Sequence, residues 1–260
     1  MSTTPSSPGP DPSRPGPVPP PAGTGACLEV NSPLSSAALD RLVAAATAHA
    51  PRRIIDHGCG WGTILLRALD AAPQAQGLGI DVHAPDIARA RAAAEAGGLA
   101  DRARFEVGES SDWADRADLL LSIGAYQAFG DVAAALVALA ARLEPGGRVL
   151  LGVEIWRSRP TDGELAHMWE GATEQDCLTL ADLVDLVHQE GFRILDLHES
   201  TPEEFDAFEL GHLREREEWL LEHPGHAVRG ELDAAWTAWL RGHRRPMGFV
   251  TLLLGHAPLP

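Results

Sequence analysis

Short apolar runs alternate with amphipathic stretches along most of the chain. The runs are rich in Ile, Leu and Val and end at glycine, aspartate or proline turns, which is typical of buried strands. The stretches between them repeat apolar residues at helical spacing. The pattern predicts strands at 52–56, 78–82, 104–107, 118–123, 148–155, 192–197 and 249–254, and helices at 35–49, 63–71, 85–96, 132–143 and 180–189.

The order of these elements predicts the fold. Strand and helix alternate from 52 to 197, which favours a parallel sheet with helices on both faces. Two stretches, 200–223 and 228–241, interrupt the alternation, and both have helical patterns. We predict an α/β fold: a doubly wound, Rossmann-like, seven-stranded and mostly parallel sheet with a helical insertion between strands six and seven.

The N-terminal residues differ from the rest of the chain. Residues 1–26 are rich in Pro, Ser and Gly and contain few large apolar side chains, so they cannot bury enough surface to order themselves. We predict a disordered Pro-rich tail, with a proline-rich ligand for a partner domain as the alternative. Residues 27–260 then form one domain with a helical lid insertion at about 200–245.

Composition excludes several classes of function. The formal net charge is −16 and the chain has no Lys, so we expect neither nucleic acid nor a membrane surface as partner. There is no long apolar run and no signal-peptide pattern, which favours a cytoplasmic protein. The three Cys and the scattered His have no metal-ligand spacing, so we predict no metal.

The segment Asp56-His57-Gly58-Cys59-Gly60-Trp61-Gly62 lies between a predicted strand and a predicted helix. Glycines in such a turn let backbone approach a ligand closely, beside a helix N-terminus. The spacing departs from the dinucleotide pattern, which needs its third glycine where Thr63 stands. No Gly-Lys-Ser/Thr follows, which excludes a P-loop.

This D-x-G-x-G-x-G segment resembles the first motif of class I S-adenosylmethionine-dependent methyltransferases. That family has an acidic residue at the end of strand two, and Asp81 stands there, 25 positions after Asp56. A carboxylate at that place can accept hydrogen bonds from both ribose hydroxyls of the cofactor. Together, the turn and Asp81 make S-adenosylmethionine the predicted cofactor.

Further segments extend the resemblance over about residues 28–260. Residues 109–113 resemble the acidic loop that contacts adenine, 122–126 the end of strand four, and 143–148 the family's L-x-P-G-G turn. Residues 31–35 resemble an N-terminal segment that closes over the cofactor in small bacterial members. The resemblance implies cofactor contacts by Asp56, Gly58, Gly60, Gly62, Asp81, Val82, Glu109, Ser110 and Ser122.

Candidate substrate residues follow strands four and five, because ligands of doubly wound sheets lie beyond the carboxyl ends of the strands. We predict Tyr126 and Glu154 as catalytic residues and Tyr126, Gln127, Trp156 and Trp169 as substrate-binding residues. Glu154 could be a general base, a carboxylate that stabilises a cation, or an ion-paired surface acid.

The insertion contains Trp219, Trp236 and Trp239. These residues either form part of an aromatic lid over the substrate or pack the insertion onto the sheet. His83, which follows the predicted ribose acid, is either a base or a solvated loop residue.

The resulting hypothesis is methyl transfer to the oxygen, nitrogen or carbon atom of a small molecule, by a monomer or homodimer. Alternatives are an enzyme that consumes S-adenosylmethionine without methylating, such as a cyclase or lyase, and a non-catalytic binding subunit. An NAD-type oxidoreductase is disfavoured by the glycine spacing.

Overall fold

A computed structural model describes residues 16–257. The strands are β1 (Arg53–His57), β2 (Gln76–Asp81), β3 (Ala103–Val107), β4 (Ala117–Ile123), β5 (Leu143–Trp156), β6 (Leu178–Thr179), β7 (Phe192–Glu199) and β8 (Met247–His256). The helices are α1 (Ser36–Thr47), α2 (Thr63–Ala71), α3 (Ala84–Ala96), α4 (Val132–Arg142), the single turn α5 (Asp162–Leu165), α6 (Leu180–Gln189), α7 (Pro202–Glu222) and α8 (Val228–Thr237).

The strands form one sheet in the order β3-β2-β1-β4-β5-β8-β7, and the short β6 pairs with the end of β5. Strands β1 to β5 pair in parallel, whereas β8 runs antiparallel to both of its neighbours. The strand order reverses between β1 and β4. Ligands of open α/β sheets bind at such a reversal. The predicted doubly wound, mostly parallel sheet is confirmed.

Helices cover both faces of the sheet. On one face, α1, α2 and α3 pack through Leu39, Leu42, Leu65, Leu69 and Ile87. On the other face, α4 and α6 pack through Leu136, Leu139, Leu183 and Val187. The central strands are therefore apolar on both sides, which explains the continuous hydrophobic runs in the sequence.

Local sequence accounts for where several helices begin. Ser35, Asp131 and Thr179 accept hydrogen bonds from the first-turn backbone of α1, α4 and α6. Thr201 and Glu204 form a reciprocal capping pair at the start of α7, where Pro202 occupies the first turn. Such caps satisfy backbone N–H groups that a helix leaves unpaired at its N-terminus.

The strand and helix boundaries lie within about two residues of the sequence prediction, with two larger differences. Strand β5 begins at Leu143 instead of 148, because Leu143 pairs with Ala117 before a register shift at Leu119. The pattern also missed β6, whose two residues pair with Ile155 and Trp156. A strand of two residues is too short to produce an alternating pattern.

The insertion lies between β7 and β8 and consists of α7, α8 and the π-helical turn Ala238–His243. The Trp236 indole stacks on Trp239 at 5.1 Å and donates a 2.6 Å hydrogen bond to Glu217 of α7. Trp219 stacks on His223 at 4.0 Å. In these contacts the three insertion tryptophans pack the insertion's own helices, whereas the two alternatives placed them over the substrate or against the sheet.

Residues 24–35, here called the N-terminal segment, pack between the sheet and α7. The Thr24 hydroxyl donates to Glu215 at 2.7 Å, and the Ser35 N–H donates to Glu204 at 2.8 Å. A Cβ on Gly211 would lie 2.2 Å from Leu28 Cδ2, so only glycine permits this close approach. The contacts of the domain therefore include Thr24, which lies inside the predicted tail. The disorder predicted for residues 1–15 lies outside the described residues.

Candidate functional site

The first cavity lies at the carboxyl ends of β1, β2 and β4, beside the reversal in strand order. Its volume is about 190 Å³. It is lined by Val30, Asn31, Asp56, Gly58, Cys59, Gly60, Trp61, Thr63, Ile64, Asp81, Asp86, Ile123, Gly124 and Ala125. The cavity therefore gathers the glycine-rich turn, the acid that ends β2 and the N-terminal segment in one place.

The glycine-rich turn is held against β2 and the loop after β4. The N–H groups of Gly58 and Cys59 donate to the Ile80 carbonyl at 2.8 and 3.0 Å. A Cβ on Gly58 would lie 2.2 Å from Ala125 Cβ. At Gly60, φ is +51° and the nearest neighbour of such a Cβ would be 4.0 Å away. Gly60 therefore presents open backbone to the cavity, as the motif predicts.

Gly62 has a different role from the one predicted. Its φ is +80°, and a Cβ there would lie 2.7 Å from the Phe105 ring and 3.0 Å from Ala90 Cβ. Gly62 does not line the cavity, because it faces the contact of α2 with α3 and β3. Its assignment to cofactor binding is corrected to helix packing.

The two glycines should respond differently to substitution. Gly62→Ala is expected to lower the free energy of unfolding by about 1–3 kcal/mol, because the new methyl group meets Phe105 in strained backbone. Gly60→Ala is expected to cost about 1 kcal/mol but to weaken S-adenosylhomocysteine binding, because its methyl group enters the cavity. Urea unfolding and calorimetric titration of both variants test this. If Gly62→Ala and Gly60→Ala lost the same stability and the same affinity, the two roles would be contradicted.

Two carboxylates converge on the cavity. Asp56 is buried and its Oδ2 has no hydrogen-bond partner. Burial, and then the nearby charge of Asp81, raise the pKa of Asp56 to about 7. Asp81 accepts hydrogen bonds from the Gly60 and His83 backbone N–H groups at 2.8 and 2.9 Å. The site is thus negatively charged, with one carboxyl oxygen that lacks a donor.

The N-terminal segment forms another wall of this cavity. The Glu29 carbonyl accepts hydrogen bonds from Trp61 Nε1 at 3.0 Å and from the Thr63 hydroxyl at 2.8 Å. The Trp61 ring also lies under the Arg89 guanidinium, at 4.2 Å. These contacts hold Val30 and Asn31 at the cavity, where the resemblance placed a closing segment.

A second cavity of about 400 Å³ lies at the carboxyl end of β5. It is lined by Tyr126, Gln127, Glu154, Trp169, Asp176, Cys177, His243 and Met247. The loop after β4 joins the walls of both cavities, since residues 123–125 line the first and residues 126–127 line the second. Two cavities sharing one loop can hold two molecules side by side.

Four of these eight residues were predicted from the sequence, and four were missed. Asp176, Cys177 and His243 come from loops and from the insertion, and Met247 begins β8. No local motif marks them. The one available signal was the position of Met247, two residues before the predicted strand at 249–254.

Two carboxylates, Glu154 and Asp176, lie in the wall of the second cavity among aromatic and apolar side chains. Burial raises the pKa of Glu154, although a hydrogen bond from Tyr126 opposes the shift, and Glu154 Oε2 is buried without a partner. Burial, and then the charge of Glu154, raise the pKa of Tyr126 to about 12. Hydrogen bonds from Thr173 and Trp169 lower the pKa of Asp176. His243 Nε2 lies 2.7 Å from Glu209 Oε1.

Two predicted site residues belong elsewhere. Trp156 is buried in the same hydrophobic core as the apolar residues of α1, α2 and α3. Its Nε1 donates a hydrogen bond to the Glu174 carbonyl at 2.7 Å. Ser122 is fully buried on the face opposite the cavities, because side chains alternate along β4 and Ile123 takes the cavity side. Neither residue lines a cavity, and both assignments are corrected.

Three further residues predicted to contact the cofactor lie at the ends of β2 and β3, outside both cavities. The Val82 side chain is 59% exposed, Glu109 is exposed and Ser110 is buried. Their contact with the cofactor stays a prediction. His83 is exposed and pairs with Asp86 at 2.9 Å.

Comparisons with known proteins identify the family. A family model described as a methyltransferase domain matches residues 55–149. The uncharacterized protein YjhP of Escherichia coli K12 is 30% identical over 209 residues, which cover 78% of this chain and 84% of YjhP. The chain belongs to the methyltransferase family.

Solved structures of other methyltransferases agree with this assignment. The enzyme of Geobacter sulfurreducens, in complex with S-adenosyl-L-homocysteine, has a TM-score of 0.77 and 27% identity, covering 86% of this chain and 92% of that one. The enzyme of Thiobacillus denitrificans, in the same kind of complex, has a TM-score of 0.77 and 26% identity, covering 88% and 94%. The predicted family is confirmed.

The first cavity of this methyltransferase fits the family's cofactor. S-adenosylmethionine carries two positive charges, on sulfur and on its amino group, and the cavity presents Asp56, Asp81 and Asp86. The unpartnered Asp56 Oδ2 needs a donor, and the open backbone at Gly60 leaves room for a ligand. Burying a carboxylate without a donor is unfavourable, so a bound cation would relieve that cost.

Within residues 16–257, no helix of this methyltransferase is long and apolar enough to cross a membrane. In the same part of the chain, no three His, Cys, Asp or Glu side chains are grouped closely enough to hold a metal ion.

Proposed function

We propose that this methyltransferase transfers a methyl group from S-adenosylmethionine, bound in the first cavity, to a small molecule bound in the second. The observation that carries the proposal is the shared loop after β4, whose residues 123–127 line both cavities on one side of the sheet. A volume of about 400 Å³ suits a compact metabolite. The net charge of −16 argues against nucleic acid as the acceptor.

The proposed cofactor contacts follow from the geometry of the first cavity. Asp56 would accept a hydrogen bond from the cofactor's amino group through its unpartnered oxygen. Asp81 is already oriented by two backbone donors and would accept hydrogen bonds from the ribose hydroxyls. Gly58 and Gly60 would let the backbone lie against the ligand. Asn31 and Val30, on the N-terminal segment, would shield it from water.

When bound, S-adenosylmethionine supplies a methyl carbon attached to a positively charged sulfur that leaves as a neutral thioether. Because this leaving group is already good, the protein's main contribution is to align the acceptor and exclude water. Such positioning can contribute about 7–11 kcal/mol to lowering the barrier. Tyr126 and Gln127 would orient the acceptor from the shared loop, and Trp169 would form an aromatic wall. Glu154 would accept a proton through Oε2 if the acceptor atom carries one.

Mass spectrometry of the purified protein with S-adenosylmethionine alone is the first test. We expect the cofactor to remain intact, because methyl transfer needs an acceptor in the second cavity. Addition of a mixture of small metabolites should then produce S-adenosylhomocysteine together with a methylated product. Conversion of the cofactor alone to methylthioadenosine and an amino-acid fragment would instead establish a lyase or cyclase.

A further inference from the structure

We infer that the acceptor is a basic amine that enters the second cavity as an ammonium ion, and that Glu154 is the catalytic residue that accepts its proton. This inference deepens the proposed function and rests on it. It specifies the class of substrate and the role of one side chain.

The charge of the cavity wall is the first argument. Two carboxylates, Glu154 and Asp176, line the cavity, and none of its described lining residues is Arg or Lys. Two arginines, Arg159 after β5 and Arg245 before β8, are engaged in ion pairs with Glu174 at 2.7 Å and with Glu164, respectively. The remaining ionisable wall residue that can be cationic, His243, pairs with Glu209. The cavity therefore lacks a positive charge that would balance its carboxylates.

The two carboxylates differ in their hydrogen bonding. Asp176 accepts from the Thr173 hydroxyl at 2.6 Å, from the Thr173 N–H at 3.2 Å and from Trp169 Nε1 at 2.8 Å. It is held as a charged group by these donors. Glu154 Oε2 is buried and has no donor. A ligand N–H is the group that this oxygen lacks, so Glu154 is the member of the pair suited to bind and deprotonate an amine.

The aromatic residues of the wall favour the same ligand. Trp169 and Tyr126 both line the cavity, and the Trp169 ring is oriented by its hydrogen bond to Asp176. An aromatic face attracts a nearby cation. A carboxylate or phosphate ligand would meet two like charges. A neutral alcohol would leave those charges uncompensated.

The proposed step balances in atoms and charge. An N–H bond of the ammonium ion breaks, its proton moves to Glu154 Oε2, and the electron pair of that bond stays on nitrogen as the nucleophile. A new N–C bond forms from this pair, while the electron pair of the broken S–C bond stays on sulfur. The products are a methylated ammonium ion, a neutral thioether and a protonated Glu154, which returns its proton to solvent.

Calorimetric titration of three matched probes into protein saturated with S-adenosylhomocysteine tests the inference without turnover. Benzylamine, benzyl alcohol and benzoate share a skeleton and differ in charge. We expect benzylamine to bind about tenfold or more tightly than benzyl alcohol, because it forms a charge-assisted hydrogen bond. Benzylamine that binds no better than benzyl alcohol, or shows no measurable binding in the millimolar range, would overturn the inference.

Two variants test whether Glu154 is responsible for the preference for benzylamine. Glu154→Gln should weaken benzylamine binding about 10- to 100-fold and leave benzyl alcohol unchanged, since it removes the charge and preserves the shape. Glu144→Gln, at the opposite end of β5, is the matched control and should change neither. Unchanged benzylamine binding in Glu154→Gln would contradict the role of Glu154. If that variant does not fold, the ranking of the three probes on the unmodified protein still decides the substrate class.

The same experiment separates this inference from the proposed function. A protein that does not bind S-adenosylhomocysteine would contradict the proposed function itself. A protein that binds S-adenosylhomocysteine but shows no preference for benzylamine would contradict the amine inference alone.

Discussion

Asp56→Asn is expected to stabilise the ligand-free protein at neutral pH and, at the same time, to weaken its affinity for S-adenosylhomocysteine. The Asp56 carboxyl group is buried, its Oδ2 has no partner, and burial raises its pKa from 3.8 to about 7. Above that pKa the folded protein must hold an unpaired buried charge. An amide of the same shape carries no charge, and its oxygen would accept a weaker hydrogen bond from the cofactor's amino group.

The sign of the pH dependence follows from the raised pKa. Between about pH 4 and pH 7 the folded state keeps the Asp56 proton while the unfolded state loses it. The free energy of unfolding therefore falls as the pH rises through this window. A shift of about three units corresponds to about 4 kcal/mol at most. In Asp56→Asn this contribution is absent, so the variant should gain stability relative to the unmodified protein as the pH rises.

Urea unfolding at pH 5 and pH 8 measures this difference. Asp101→Asn is the control, because Asp101 is exposed near the start of β3 and away from the cavity. Its stability should follow the unmodified protein at both pH values. If Asp56→Asn is less stable than the unmodified protein at pH 8, the carboxylate has a stabilising partner and the argument from its unpaired charge is wrong.

Asp81→Asn has the second large expected effect, on cofactor binding. The Asp81 carboxylate is oriented by the Gly60 and His83 N–H groups and lines the first cavity, where it would accept hydrogen bonds from the two ribose hydroxyls. Loss of these charge-assisted bonds should cost at least about 2 kcal/mol, which is a more than tenfold loss of affinity. Calorimetric titration with S-adenosylhomocysteine measures it.

The melting temperature of Asp81→Asn separates binding from folding. The amide oxygen of asparagine can still accept a hydrogen bond from one of the two backbone N–H groups. We therefore expect a folded protein with a modest loss of stability. Asp101→Asn should bind S-adenosylhomocysteine like the unmodified protein. An unchanged dissociation constant for Asp81→Asn would rule out its assignment to the ribose.

Much of the fold could be predicted from the sequence, because its signals are local. Apolar runs that end at glycine mark strands that are buried on both faces, and caps such as Ser35 and Asp131 mark helix starts. The turn with Gly58 and Gly60 and the acid Asp81 were recognised from their resemblance to the family's motif. Each sits at the end of a strand, where residue type and position along the chain suffice to predict its place.

Errors arose where two residues with similar sequence positions face different ways. Ser122 and Ile123 are neighbours at the end of β4, yet the pleat of the strand directs one to the core and the other to the first cavity. Trp156 was grouped with Trp169, but Trp156 is core and Trp169 lines the second cavity. Gly62 belongs to the same motif as Gly60 and serves the packing of Phe105.

The sequence by itself determined most of the strands and helices, since these follow from local periodicity, and its glycine-rich turn and Asp81 carried the resemblance to the family. Only the tertiary structure decided the second cavity. Its wall joins Tyr126 and Glu154 to Asp176 and His243, which are far apart in the chain and meet through the sheet order and the insertion. The burial and missing donor at Glu154 Oε2 arise from this assembly, because desolvation depends on neighbours in space.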